Sequence, residues 1–67
     1  MINERLKNAR LEKNLSQGEL AIIVGVSRQT INMIENNDYN PTINLCIKIC
    51  KALNKTLNDI FWEEQHV

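Results

Sequence analysis

Apolar residues recur at intervals of three and four along most of the chain, which is the period of helices that bury one face. The pattern predicts five helices, which cover 4–13, 17 to the turn at Gly25, 28 to the turn that starts at Asn36, 43–53 and 57–61. The side chains expected to face a common core are Leu6, Ala9, Leu15, Leu20, Ala21, Val24, Ile31, Ile34, Leu45, Cys46, Ile49, Cys50 and Leu53.

Polar residues at the expected helix starts support these boundaries. Ser16 is a good N-cap, and Glu19 three residues later completes a capping box, in which each residue accepts from a backbone N–H of the other. Gly25 stands where the second helix would end in the left-handed conformation, which glycine adopts at the least cost. Further N-caps are predicted at Ser27, at Thr42 and at Thr56, which has Asp59 three residues later.

Residues 16–37 therefore read as two short helices joined by a turn, and the second helix has two different faces. One face has the apolar stripe. The other has a forked donor, two amides and a hydroxyl beside one apolar side chain, and its residues are Arg28, Gln29, Thr30, Asn32 and Met33. Side chains of this kind match the donors and acceptors on base edges in the major groove, so the face is predicted to read a DNA sequence.

Nine positions of this stretch carry a resemblance to a known family: Gln17, Leu20, Ala21, Gly25, Val26, Ser27, Ile31, Ile34 and Glu35. With them the stretch resembles the helix-turn-helix of the phage Cro and repressor family, also called the xenobiotic-response-element (XRE) family of bacterial regulators. The resemblance continues through 39–54 to 56–61. It implies a mainly all-α, five-helix, λ-repressor-like DNA-binding domain, with 1–67 as a single domain and the motif at 16–37.

The resemblance also implies roles for individual residues. The base-contacting set is Arg28, Gln29, Thr30 and Met33, and the set that contacts the DNA backbone is Gln17, Ser27, Asn32, Asn36 and Asn40. In the family, the arginine that matches Arg10 pairs with the glutamate that matches Glu35 and ties the first helix to the recognition helix. The alternative is that Arg10 is simply a solvated arginine.

The two chain ends are expected to form a small antiparallel ribbon. Short members of the family, of the cytolysin-repressor type, pair an N-terminal strand with a C-terminal one. Here the tail 60–64 has the β-branched and aromatic residues that strands favour, and Ile2 supplies an apolar residue at the other end. The expected fold is therefore helical with two short strands added.

The length of 67 residues predicts a homodimer. A core this small contributes only about 3–5 kcal/mol, so pairing would supplement it. One recognition helix also covers too few base pairs for useful specificity, and two must sit about 34 Å apart to read successive turns of DNA. The interface is therefore expected off the motif, and the apolar residues available there are Ile43, Ile47, Leu57 and Trp62.

Charge and hydropathy limit the other classes of partner. Eight basic and eight acidic residues leave a net charge of zero, which argues mildly against nucleic acid because affinity for DNA depends on neutralising phosphates. Residues 1–28 are richer in basic side chains, so DNA binding by fit is still expected. No apolar run approaches the roughly 20 residues needed to cross a bilayer, and residues 1–10 are mostly polar, which indicates a cytoplasmic protein without a membrane partner.

Cys46 and Cys50 lie four residues apart on the predicted fourth helix, and three interpretations are open. The favoured one is two small core residues, since free cysteine is readily buried. A zinc site would need four ligands, and only His66 is left to join them, so no metal site is predicted. A disulfide within one helical turn would strain the backbone and is disfavoured in the cytosol.

No arrangement of residues suggests catalysis, so a non-enzyme without a cofactor is predicted: Ser16 and Ser27 are explained as caps, and no base is placed to activate them. The predicted function is a sequence-specific DNA-binding transcriptional regulator, a repressor that binds a near-palindromic operator as a homodimer. A chain this short is not expected to bind a small-molecule effector. The alternative is an antitoxin-like or other protein-interaction module of the same fold, for which an exposed Ile22 or Ile23 could be the contact.

Overall fold

Five helices make up most of residues 3–62, the part of the chain that the computed structural model describes. They are α1 (Glu4–Glu12), α2 (Gln17–Val24), α3 (Arg28–Glu35), α4 (Ile43–Leu53) and α5 (Leu57–Ile60). Helix α4 has the predicted bounds, whereas α1 and α5 each end one residue earlier than predicted because Lys13 and Phe61 are their C-caps. The all-helical part of the expected fold is therefore confirmed.

The helix starts are made by the predicted caps. The Oγ of Ser16 accepts from the N–H of Glu19 at 3.0 Å, and the carboxylate of Glu19 accepts from the N–H of Ser16 at 2.7 Å, which completes the capping box. Thr56 and Asp59 form a second box at α5. There the N–H of Thr56 donates to the Asp59 carboxylate and, with the Thr56 hydroxyl, holds the pKa of that carboxyl below its usual value.

The expected two-stranded ribbon is wrong, because residues 3–62 contain no strand. The capping box at Thr56 starts a helix that continues into the predicted strand. The N–H groups of Phe61 and Trp62 both donate to the carbonyl of Leu57, at 2.8 and 3.0 Å, so the chain coils there instead of extending. The other positions of the predicted ribbon, 1–2 and 63–64, lie outside the described residues.

The N-terminal part of the described chain is nevertheless bonded to two later segments, the end of α5 and the end of α3. The guanidinium of Arg5 donates to the carbonyls of Asn58 and Trp62, both at 3.1 Å, and so connects α1 to the end of α5. The N–H of Asn3 donates to the carbonyl of Glu35 at 2.7 Å, while the side chain of Asn3 caps α1.

The core is aliphatic and lies between all five helices. Its fully buried side chains are Leu6, Leu20, Ile31, Ile49, Leu53 and Ile60. Cys46 and Cys50 are buried as free thiols, which confirms that they are core residues, and burial raises the pKa of each thiol. Leu15 and Leu45 pack against this core but stay partly exposed, so they lie less deeply than predicted.

The packing of the helices leaves one side of α3 free. Helix α3 packs on α2 and α1, α4 packs on α2, and α5 lies against α1 and α4. Gly25 makes the turn between α2 and α3 with a φ of 81°, the left-handed conformation that was predicted for it. In the described part of the chain, the longest helix has 11 residues, and none has the length and apolar character that would let it span a membrane.

Candidate nucleic-acid interface

Helix α3 separates its side chains into a buried and an exposed face. Ile31 and Ile34 point into the core, and Glu35 joins them with only 3% of its surface exposed. On the opposite face Arg28, Gln29 and Asn32 are exposed, and Thr30 and Met33 are half-buried along its edges. The face that the sequence assigns to base edges is thus the solvent face of α3.

A buried ion pair orients this helix. The Nε of Arg10 donates to Oε2 of Glu35 at 2.7 Å, and a terminal nitrogen donates to Oε1 at 3.2 Å. The other terminal nitrogen donates to the carbonyl of Leu15 at 2.8 Å. One guanidinium therefore links α1, the α1–α2 connection and the end of α3, which are three separate segments. A bidentate pair of this kind fixes the relative orientation of the helices that carry it.

The side chain of Gln17, at the start of α2, hydrogen-bonds both the buried ion pair and an exposed residue of α3. Its Nε2 donates to Oε1 of Glu35 at 3.0 Å and to Oδ1 of Asn32 at 3.2 Å. Gln17 was assigned to the DNA backbone from the sequence, and here its side-chain donors face protein acceptors. All buried side-chain nitrogen and oxygen atoms in residues 3–62 have a hydrogen-bond partner, so the network is internally satisfied.

The start of α3 is also internally bonded. The Oγ of Ser27 accepts from the N–H of Thr30 at 3.1 Å and lies 2.9 Å from the Thr30 hydroxyl. Both hydroxyls are thus engaged with each other, and either can still accept or donate one further bond. Asn36 is the C-cap of α3, and Asn40 lies in the segment before α4; both are exposed.

Four of the predicted DNA-contacting residues lie close together. Gln17, Arg28, Gln29 and Asn32 line one open depression of about 380 Å³ between the start of α2 and the start of α3. Two of them belong to the predicted base-contacting set and two to the backbone-contacting set. Amides and a guanidinium around one shallow surface are suited to a polar ligand with many acceptors, such as the edge of a DNA duplex.

Gly18 lies beside the side chain of Arg28 and was not singled out from the sequence. A Cβ at this position would lie 3.8 Å from Cδ of Arg28, so the stem of Arg28 crosses the start of α2 beside Gly18. Local patterns carry no sign of such a contact, because it joins residues on two different helices.

The four residues predicted for a dimer interface lie on the other helices. Ile43 and Ile47 on α4 are 53% and 37% exposed, and Trp62 after α5 is 53% exposed. Leu57 is half-buried against the core. On α2, Ile22 and Ile23 are both exposed, by 82% and 57%, where at least one was expected to be.

The sequence matches a known family and several known proteins. A helix-turn-helix family model matches residues 6–60. The uncharacterized HTH-type transcriptional regulator YgzD of Bacillus subtilis is 41% identical over 64 residues, which are 96% of this chain and 97% of YgzD. The antitoxin PezA of Streptococcus pneumoniae is 34% identical over 65 residues, which are 97% of this chain but 41% of PezA.

A solved structure agrees with these matches. The restriction-modification controller protein C.AhdI from Aeromonas hydrophila superposes with a TM-score of 0.81 at 29% identity, over 88% of this chain and 86% of that one. The family model, YgzD and C.AhdI represent a class of regulators that is not enzymatic, which confirms the predicted non-enzyme. The chain belongs to the XRE-type helix-turn-helix family, a family of DNA-binding transcriptional regulators.

Proposed function

We propose that this regulator is a repressor that binds a near-palindromic operator as a homodimer, with α3 of each subunit in the major groove. The observation that carries the proposal is the solvent face of α3. Arg28, Gln29 and Asn32 stand exposed on it, while its other side is held by a buried ion pair. A rigid helix with a polar outward face is what direct reading of base edges requires.

In the proposed complex α3 enters the groove with its N-terminus first, and α2 crosses the DNA backbone. Arg28, Gln29, Thr30 and Met33 face the bases. Ser27, Asn36 and Asn40 lie at the two ends of α3 and beyond it, where they contact the sugar-phosphate edge together with Gln17 and Asn32. The net charge of zero means that attraction to phosphates contributes little, so affinity depends on the fit of these contacts.

The dimer in this proposal forms through α4 and α5. Ile43, Ile47 and Trp62 are large apolar side chains left exposed in the single subunit, and Leu57 lies at the edge of its core. None belongs to the motif, so a two-fold contact through them leaves both α3 helices free for DNA. Two such helices about 34 Å apart would read half-sites on successive turns. Repression then follows from occupation of a promoter against polymerase.

Selection of bound sequences from random DNA, followed by affinity measurements, tests the proposal. Arg28→Ala and Gln29→Ala should each cost about 1–3 kcal/mol on the selected operator and little on random DNA. Lys7→Ala is the matched control, because it removes a positive charge from an exposed position of α1 outside the depression. Equal losses on operator and random DNA in the α3 variants would show that they contact phosphates alone.

A second candidate is an antitoxin-like module that binds a protein partner. Ile22 and Ile23 favour it, because two adjacent large apolar side chains are exposed on α2, and the relative PezA is named an antitoxin. Ile22→Lys with Ile23→Lys separates the two candidates. A regulator that uses DNA alone keeps its operator affinity in this variant. An antitoxin-like module copurifies with a partner from its native cells and loses that partner in the variant.

A further inference from the structure

The side-chain amide of Gln17 connects the buried ion pair to the solvent face of α3. Its Nε2 lies 3.0 Å from Oε1 of Glu35 and 3.2 Å from Oδ1 of Asn32. Glu35 is 3% exposed and paired with Arg10, whereas Asn32 is exposed in the depression beside Arg28 and Gln29. A continuous chain of bonds therefore runs from the core to the DNA-facing surface.

The chemistry of these groups decides how each amide is turned. A carboxylate paired with an arginine accepts hydrogen bonds only, so Gln17 must direct its NH₂ group, and not its carbonyl oxygen, toward Glu35. That NH₂ group has a second hydrogen, which points at Asn32. The only acceptor in the side chain of Asn32 is its carbonyl oxygen, so its NH₂ group is turned away from Gln17.

From this geometry we infer that Gln17 is a positioning residue, which fixes the amide of Asn32 so that its NH₂ group is presented to an acceptor on the DNA. The inference rests on the proposed function and adds to it the direction of one hydrogen bond, in which Asn32 donates and the DNA accepts. Asn32 can serve only acceptors, which are phosphate oxygens or the N7, O6 and O4 atoms of the major groove. Gln17 itself has both amide hydrogens in use, so its proposed contact with phosphate is made by its backbone N–H at the start of α2 and not by its side chain.

Fixing the amide in advance affects affinity because an exposed asparagine otherwise rotates freely. Without Gln17 the side chain of Asn32 can turn either its oxygen or its nitrogen toward the DNA, and the oxygen faces acceptors unfavourably. In that variant Asn32 is ordered only when DNA binds, and this ordering costs conformational entropy. In the wild-type protein Asn32 is already ordered before DNA binds, so binding does not carry this cost. Glu35 keeps two bonds from Arg10 when Gln17 is removed, so the ion pair and the fold survive the change.

Hydrogen exchange in the free protein tests the geometry without DNA. The side-chain NH₂ protons of Gln17 should exchange with water more slowly than those of Gln29, an exposed glutamine on α3 that serves as the control. The NH₂ protons of Asn32 should exchange freely, because they face solvent. Exchange at Gln17 as fast as at Gln29 overturns the inference.

A double-mutant cycle on the selected operator tests the function. Gln17→Leu and Asn32→Ala should each lower affinity about tenfold, the value of one well-made polar bond. Because Gln17 acts through Asn32, the double variant should also lose about tenfold. Independent contacts would instead lose about a hundredfold together, which overturns the positioning role. The matched control is Asn40→Ala, a predicted DNA contact outside the depression, whose loss should add fully to that of Asn32→Ala.

Comparison with random DNA identifies the acceptor. A loss in Asn32→Ala that is confined to the operator assigns the acceptor to a base, and an equal loss on random DNA assigns it to a phosphate. The outcomes also separate this inference from the proposed function. If the wild-type protein selects no DNA sequence, the function is wrong; if it does and the cycle is additive, only the positioning role is wrong.

Discussion

Replacing Arg10 with methionine tests whether the buried ion pair holds α3 in place. Methionine keeps most of the apolar stem and removes the guanidinium N–H groups that bond Glu35 and the Leu15 carbonyl. The carboxylate of Glu35 then keeps one side-chain donor, Nε2 of Gln17 at 3.0 Å. With 3% of its surface exposed, Glu35 becomes a buried charge without a counter-charge.

The expected loss is large relative to the stability of the domain. Removing one partner of a buried pair costs about 3–5 kcal/mol, because the remaining charge stays desolvated. A core of this size contributes no more than about 3–5 kcal/mol, so Arg10→Met should be largely unfolded at 25 °C and neutral pH. Removing both charges, in Arg10→Met with Glu35→Leu, leaves no lone charge and should restore most of the stability.

Far-ultraviolet circular dichroism at 25 °C measures the folded fraction of Arg10→Met, and urea unfolding followed by the same signal measures the stability of the variants that stay folded. Arg5→Met is the control, since it is the same substitution on the same helix. Its guanidinium bonds two carbonyls at an exposed site, so the loss should stay near 1 kcal/mol. The reasoning fails if Arg10→Met costs no more than Arg5→Met. It also fails if the double variant is no more stable than Arg10→Met alone.

Three further predictions concern the dimer, the pH dependence and the thiols. Ile47→Glu should give a folded monomer by analytical ultracentrifugation that binds operator far more weakly, because it puts two carboxylates across the two-fold axis; an unchanged dimer places the interface elsewhere. The pKa of Asp59 is lowered by its capping bonds with Thr56, so these bonds stabilise the fold above the unfolded-state pKa and are lost as pH falls through the folded-state pKa. Asp59→Asn should therefore weaken the pH dependence of urea unfolding in that acid range. Cys46 and Cys50 are buried with raised pKa values, so they should react with a thiol reagent only after unfolding, and fast labelling of the folded protein would contradict their burial. Changing both to alanine should cost about 1 kcal/mol of stability each and leave operator affinity unchanged.

Local rules account for the parts of the fold that the sequence determined by itself. A capping box joins residues three apart, so Ser16 and Glu19 were sufficient to locate the start of α2. The turn at Gly25 follows from the conformational freedom of one residue, and the inward faces of α3 and α4 follow from the helical period. The solvent face of α3 was predictable for the same reason, since whatever is not buried on an amphipathic helix is outside.

Only the tertiary structure decided the features that join residues far apart in the chain. The strand propensity of the residues around Ile60 depends on a partner strand, which residues 3–62 do not contain, and within those residues Arg5 bonds the segment after Leu57 instead. The role of Gln17 was likewise hidden. Its amide bonds Asn32 and Glu35, 15 and 18 residues away, and which of its hydrogens remain for DNA depends on how α3 packs against α2.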